Sequence, residues 1–329
     1  MSVIGIPNLD QQLEAQLLAG MKDVENLIRT QVEGKYGLAV ETSRHLVDAG
    51  GKRLRPLLTL ISSQFGDPKA KGIIESAVVC ELTHLGTLYH DDVMDEAPLR
   101  RGVDSANSRW GNNVAILTGD YLFAKVSQLL ADLGPEAVRL QAHTFERLVI
   151  GQIMETQGKT AGLSPLEHYL AVIADKTGSL IAAAARYGGM ISGADAKITD
   201  ALTNFGESMG LVFQLADDII DIASESNESG KTPGTDLKEG VPTLVTIHVM
   251  QSTDPKDAEL KSLLSAPIKD DALIAQTLKE LRSHKALEQS RELINKYAAQ
   301  TRNYLAELPN GVAKDALVNL SEAVVSRTS

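Results

Sequence analysis

Only one cysteine, Cys80, occurs among the 329 residues, which excludes a disulfide framework and any cysteine-built zinc site and suits a reducing compartment. Aromatic residues are scarce, at 4%, and basic residues are outnumbered, 32 Lys and Arg against 43 Asp and Glu, for a net charge of −11. That deficit excludes a nucleic-acid binder working through a broad basic face, so any phosphate must be gripped by local clusters. No uninterrupted apolar run reaches the roughly 18 residues that a membrane span needs. The longest weakly polar stretch, 180–193, is rich in Ala and Gly and contains Arg186. Residues 1–8 have neither the basic start nor the apolar length of a signal peptide. The expected location is the cytoplasm, with no membrane span and no nucleic-acid partner. A chain this long buries about three quarters of its unfolded surface and needs no covalent staple.

Alternating strand patterns are almost absent, and apolar residues recur instead at helical spacing. The series begins with Leu13, Leu17, Met21, Val24 and Ile28. Further helices are predicted over 55–64, 73–94, 114–133, 135–157, 165–191, 199–223, 243–250, 257–305 and 313–327. The expected fold is all-α: a single-domain bundle of about ten or more helices spanning 1–329, with no linker long enough to divide it. Two polar loops interrupt the pattern. One holds Gly50-Gly51-Lys52-Arg53-Leu54-Arg55-Pro56, a glycine turn leading into three cations. The other, 224–243, is rich in Ser, Gly and Lys, and its length suggests a functional lid.

The pattern D-D-x-x-D occurs twice, as Asp91, Asp92 and Asp95 and as Asp217, Asp218 and Asp221, each time at the C-terminal end of a strongly apolar helix. Positions i, i+3 and i+4 share a helix face, so each triplet can aim its carboxylates into one small volume. A single such triplet is readily a solvated acidic helix end. Two copies set among Leu85, Leu88, Leu211, Leu215 and Ile219 are not explained that way. Clusters offering only oxygen select hard cations, and Mg²⁺ typically bridges a few carboxylates to substrate phosphates. Lys52, Arg53 and Arg55 after the glycine turn, and Arg100-Arg101 just beyond Asp95, supply the cations for diphosphate recognition.

Taken together, Gly51-Lys52-Arg53-Leu54-Arg55-Pro56, His84, His90-Asp91-Asp92-Val93-Met94-Asp95, Leu99-Arg100-Arg101-Gly102, Gly119-Asp120, Lys176-Thr177-Gly178, Phe213-Gln214-Leu215-Ala216-Asp217-Asp218-Ile219-Ile220-Asp221 and Gly230-Lys231 through Gly234-Thr235-Asp236-Leu237 resemble the trans-isoprenyl diphosphate synthases. The matches fall in that family's order over about residues 50 to 245. The resemblance implies the isoprenoid synthase fold, helices around a central active-site cavity, a homodimer, and several Mg²⁺ ions held by the two aspartate motifs. It places isopentenyl diphosphate on Lys52, Arg55, His84 and Arg101, and the allylic diphosphate (dimethylallyl, geranyl or farnesyl) on Arg100, Lys176 and Lys231. Thr177 and Gln214 match the oxygens that face the developing allylic cation, and Glu155 matches an acid behind the metal ligands. Helical spacing agrees, because His84, Asp91 and Asp95 share one stripe, as do Gln214, Asp217, Asp218 and Asp221.

The expected activity is head-to-tail condensation of isopentenyl diphosphate with the allylic diphosphate by ionisation, addition and proton loss. One departure from the family is Glu239-Gly240-Val241-Pro242, where many relatives carry a second loop lysine; Lys238 lies nearby but out of register. Three rival readings fit less well. A His-Asp metal phosphohydrolase built on His90-Asp91 leaves the second triplet without a role. A non-catalytic or regulatory subunit of a heteromeric synthase would usually have lost one triplet. A terpene cyclase has no use for Lys52 and Arg55. Product length is expected to follow from the helix below Asp91. One turn down, about 5.4 Å, stand Gly86 and Thr87, and below them Leu82 and Thr83, none of them aromatic. An open floor there predicts products of twenty carbons (geranylgeranyl) or longer.

Overall fold

The expected helices are realised in the computed structural model, which describes residues 5–158, 160–224 and 233–326. Among the described residues there are sixteen α-helices and one two-stranded antiparallel hairpin. The chain's contacts group it into two compact units. The first comprises Met1–Glu146, Leu180–Gly206 and Glu307–Leu317, and the second Arg147–Ser179, Glu207–Ala306 and Val318–Ser329.

The first unit begins with α1 (Gln11–Gln31), whose Asp10 side chain accepts from Leu13 N at 2.9 Å and caps the helix. There follow α2 (Gly37–Asp48), α3 (Leu54–Ser62) and α4 (Ile73–Met94). The hairpin β1 (Leu99–Arg100) and β2 (Val103–Asp104) and the short α5 (Ala106–Trp110) lead to α6 (Asn112–Leu133) and the first part of α7 (Pro135–Gln157). The hairpin was not foreseen, because its strands are only two residues long and show no period. Apolar residues on nearly every side of α4, among them Val78, Val79, Leu82 and Leu85, are fully buried, which makes it the central helix. Tyr89 is buried with them, and its hydroxyl is satisfied by donating to Thr42 O of α2 and accepting from Leu46 N at 3.3 Å. By length and composition α6 is the one helix among the described residues apolar enough to cross a membrane; it packs against α4 and α2.

The second unit holds the end of α7, then α8 (Pro165–Ile173), which opens with a Ser164/Glu167 capping box. The continuous helix predicted over 165–191 is interrupted: a π-helical turn, Ala174–Gly178, separates α8 from α9 (Ser179–Ile191). Most of α9 and the start of α10 (Ala196–Ala223) belong to the first unit, as does the start of α16; after α10 come α11 (Thr235–Glu239), α12 (Leu244–Gln251), α13 (Ala258–Leu263), α14 (Asp271–Ser283), α15 (Lys285–Ala306) and α16 (Val312–Val325). The helix predicted over 257–305 is thus three helices. Pro267 and the β-region backbone at His284 break it, and neither disturbs the apolar spacing. α12 packs on α15 and α8, and a buried Ser208–Thr301 hydroxyl pair at 2.6 Å ties α10 to α15.

Candidate active site

In the first unit the cationic loop is built around Arg53. Its backbone is left-handed (φ 49°), and its side chain turns inward to Glu25 Oε1 of α1 at 2.5 Å and to Glu81 Oε1 of α4 at 2.8 Å. Arg53 is therefore the structural cation of the loop, and the buried Glu81 is the acid that makes its burial tolerable. Arg55 lies differently. Its Nε is sealed from solvent without a hydrogen-bond partner, and burial pushes its pKa below the ordinary value although Glu81 pulls it back. His84, three residues beyond Glu81 on α4, is held neutral, with its pKa well below 6.5 by burial first and then by the charges of Arg55, Arg101, Arg100 and Arg53. Arg101, left-handed at φ 55°, donates to the carbonyls of Leu46, at 2.9 Å, and Gly50. An incompletely satisfied guanidinium beside a neutral imidazole is a site that gains by taking up an anion.

The first aspartate triplet closes α4, with Asp95 as its C-cap. There the negative end of the helix dipole adds to the mutual repulsion of the carboxylates. Asp92 is fully buried. Its Oδ1 takes both Nε (2.6 Å) and Nη2 (2.5 Å) of Arg100, while its Oδ2 is sealed without a partner. Burial raises the Asp92 pKa against the opposing pull of Arg100. His90 is engaged by α6: Nε2 donates to Ile116 O at 3.1 Å and lies 3.5 Å from Asp120 Oδ1, and the ring packs edge-on against Phe123.

In the second unit the other triplet occupies the last turns of α10. Asp218 is buried and accepts from Tyr169 Oη of α8, from Gln214 Nε2 at 3.1 Å and from Leu244 N of α12 at 3.4 Å. Burial, the larger effect, pushes its pKa up to about 6 against those hydrogen bonds. Asp221 accepts from the amides of Thr235 and Asp236, both at 3.3 Å, and so fastens the start of α11. Thr177 Oγ1 donates to Gln214 Oε1 at 3.3 Å, placing the two predicted cation-facing oxygens side by side. Lys176 Nζ donates to Glu155 Oε2 of α7. Lys231 and Gly230 lie outside the described residues. Lys238, out of register in the sequence, pairs with Asp271 at 3.2 Å.

Asp92, Asp218 and Asp221 turn carboxylate oxygens to protein partners, and among the described residues no group of three or more His, Cys, Asp or Glu is placed to hold a metal ion. At the level of Gly86, below Asp91, a neighbouring helix supplies an aromatic ring. A Cβ at Gly86 would stand 2.8 Å from Phe123 Cε1 of α6, and that ring packs on Phe145 of α7 at 4.8 Å. Thr87 is half-buried and donates to His84 O at 2.8 Å. Thr83 accepts from Gln141 at 2.8 Å, and Leu82 is core. The aromatic residues missing from α4 are supplied by its neighbours, a long-range substitution that helix spacing alone does not reveal. Arg53, expected among the cations for diphosphate, is instead paired with Glu25 and Glu81, a role signalled in the sequence only by the acid Glu81 within an apolar helix; Tyr169 and Arg147 carry no motif that marks them.

The family model for polyprenyl synthetase matches residues 38–281. The nonaprenyl diphosphate synthase of Mycobacterium tuberculosis is 47% identical over 99% of this chain and 97% of its own. Among solved structures, geranylgeranyl pyrophosphate synthase from Corynebacterium glutamicum, complexed with calcium and isoprenyl diphosphate, superposes with a TM-score of 0.87 at 42% identity, covering 97% of this chain and 98% of the other. Decaprenyl diphosphate synthase from Rhodobacter capsulatus gives 0.87 at 31% identity, covering 97% and 99%.

Proposed function

The chain belongs to the polyprenyl synthetase family, and from that premise we propose how its residues divide the work of condensing isopentenyl diphosphate with an allylic diphosphate into a polyprenyl diphosphate of twenty carbons or more. The observation that carries the assignment is the sealed, unpartnered Nε of Arg55 beside the neutral His84. Lys52, Arg55, His84 and Arg101 hold isopentenyl diphosphate there, because an anion supplies the hydrogen bonds and the charge that burial has withheld. Arg100 and Lys176 hold the allylic diphosphate, with Lys231 assigned to the same task by its motif alone.

The residues that would bind a divalent cation are Asp91, Asp92 and Asp95 in one unit and Asp217, Asp218 and Asp221 in the other. The unpaired Oδ2 of Asp92 and the all-oxygen donor set fit a hard ion, magnesium. Such ions, when bound, neutralise charge on the departing diphosphate as a Lewis acid. Thr177 Oγ1 and Gln214 Oε1 present oxygen dipoles to the allylic cation, and Asp218 holds Gln214 in place from behind. The alkene of isopentenyl diphosphate attacks that cation, and the proton it then loses passes to the released diphosphate. We assign both units to this one activity and propose a homodimer, as the family resemblance implies, in the cytoplasm, which suits the acidic composition and the lone cysteine. The rival readings find less support: both aspartate triplets are intact, unlike a non-catalytic subunit, and His90 is engaged by α6.

The test is to incubate the protein with isopentenyl diphosphate, Mg²⁺ and dimethylallyl, geranyl or farnesyl diphosphate in turn, and to size the products. Chains of twenty carbons or more are expected. Release of farnesyl diphosphate as the end product, or no condensation with any primer, contradicts the assignment.

A further inference from the structure

The π-helical turn Ala174–Gly178 carries Lys176 and Thr177. Each residue of an α-helix turns about 100°, so the extra residue in a π turn rotates the side chains that follow onto another face. Such a turn is a poor local minimum and needs neighbours to hold it. In the second unit it is gripped from two sides. On α7, Arg147, Gly151 and Glu155 form a stripe at i, i+4 and i+8. Arg147 Nε donates to Asp175 Oδ1 at 2.7 Å and Nη2 to Ala174 O at 3.4 Å. A Cβ at Gly151 would stand 2.5 Å from Lys176 N, so α7 approaches the turn as closely as only glycine allows. Glu155 takes the Lys176 ammonium. On α10, Glu207, Gly210 and Gln214 form the opposing stripe. Gly210 lies against Gly178, its Cβ position 2.6 Å from the Gly178 Cα, and Gln214 accepts from Thr177.

Arg147 joins the two stripes. Besides gripping Asp175 and the Ala174 carbonyl, its guanidinium makes a bidentate pair with Glu207, with Nη1 to Oε2 at 2.9 Å and Nη2 to Oε1. One cation thus answers two carboxylates and a main-chain oxygen, a fork that lysine cannot reproduce. Glu207 and Asp175 hold the Arg147 pKa above its ordinary value, so the guanidinium keeps its charge at every working pH.

We propose that Arg147 is a positioning residue. Clamped to Glu207, it fixes the π turn so that Lys176 and Thr177 face the allylic diphosphate together with Gln214. This rests on the role assigned above to Lys176, Thr177 and Gln214. Loosening the clamp misplaces Lys176 and Thr177, whereas none of the residues assigned to isopentenyl diphosphate takes part in it.

The test compares wild type with Arg147→Lys and with Glu207→Gln, a nearly isosteric change that protects against a folding failure of the first. Readouts are the KM for each substrate, the thermal midpoint, and the fraction of allylic diphosphate lost as alcohol by capture of water. Both variants are expected to raise the allylic KM about tenfold, equivalent to about 1.4 kcal/mol, and to increase the alcohol fraction. The isopentenyl KM should stay within error, and the midpoint serves to show that each variant is folded at the assay temperature. Folded variants with both KM values unchanged, or with both raised equally, overturn the positioning role while leaving the activity standing. A wild type that forms no polyprenyl diphosphate overturns the role and the functional reading together.

Discussion

Phe123 lies so close to Gly86 that a β-carbon on the glycine would meet the ring edge at 2.8 Å. The small residue on α4 therefore receives a neighbour's ring, and Phe145 backs that ring from α7. Adding Phe at Gly86, the change that α4 alone would suggest, has no room without displacing Phe123.

Removing the ring from the other side is the informative change. If the product descends along α4, Phe123→Ala opens space beneath Gly86 and is expected to lengthen the main product by at least one isoprene unit, read by sizing the dephosphorylated products. The substitution creates a cavity and should cost about 3 kcal/mol of stability, so the assay belongs well below the thermal midpoint. An unchanged product length in folded protein would show that the stop lies elsewhere.

Asp91→Ala and Asp217→Ala are each expected to lower turnover about a hundredfold or more, the scale of losing an electrostatic stabiliser of the transition state. Helix content measured by circular dichroism should not change, because both residues sit at helix ends. Near-normal turnover in either variant would remove that triplet from the chemistry.

Arg55→Met should raise the KM for isopentenyl diphosphate about tenfold to a hundredfold, the value of one charge-assisted contact, with little change for the allylic substrate. Lys176→Met should do the reverse. Titrations in which both variants weaken the same substrate would refute the division of the two pockets.

His84 predicts a pH dependence of stability. Its pKa in the folded protein lies well below 6.5, so the unfolded chain binds the proton more readily. The contribution of the neutral ring is fully present above about pH 6.5 and is lost as the pH falls through that value toward the folded pKa. Chemical denaturation across pH 7.5 to 5 should show this decline, and His84→Gln, which cannot take up the proton, should flatten it. Identical slopes in the two proteins would show that the ring titrates normally.

Much of this protein is legible in its primary structure. The 3.6-residue period marks most of the helices, because burying one stripe of an amphipathic helix is a local matter of spacing. The two D-D-x-x-D triplets and the cations after Gly51 are recognisable as chemistry because each needs particular residue types at a particular spacing, whereas Thr177 and Gln214 are picked out by the family resemblance. The paired carboxylate and basic clusters in an acidic chain already point to metal-assisted diphosphate chemistry.

What each of those residues does with its side chain was settled only in three dimensions. Of the three cations in the glycine loop, Arg53 is spent on Glu25 and Glu81 and Arg55 keeps an unsatisfied nitrogen; the left-handed backbone at Arg53 accompanies that choice, and no spacing rule predicts it. Asp218 is occupied by Tyr169 and Leu244, partners far away in the chain. The π turn that carries Lys176 and Thr177 keeps the apolar period of the helices around it, so only its contacts with Arg147, Gly151 and Glu207 reveal it. The ring of Phe123 beside Gly86 has the same origin. Helical spacing determines which face a residue occupies, whereas what fills the space opposite that face is decided by packing between helices distant in sequence.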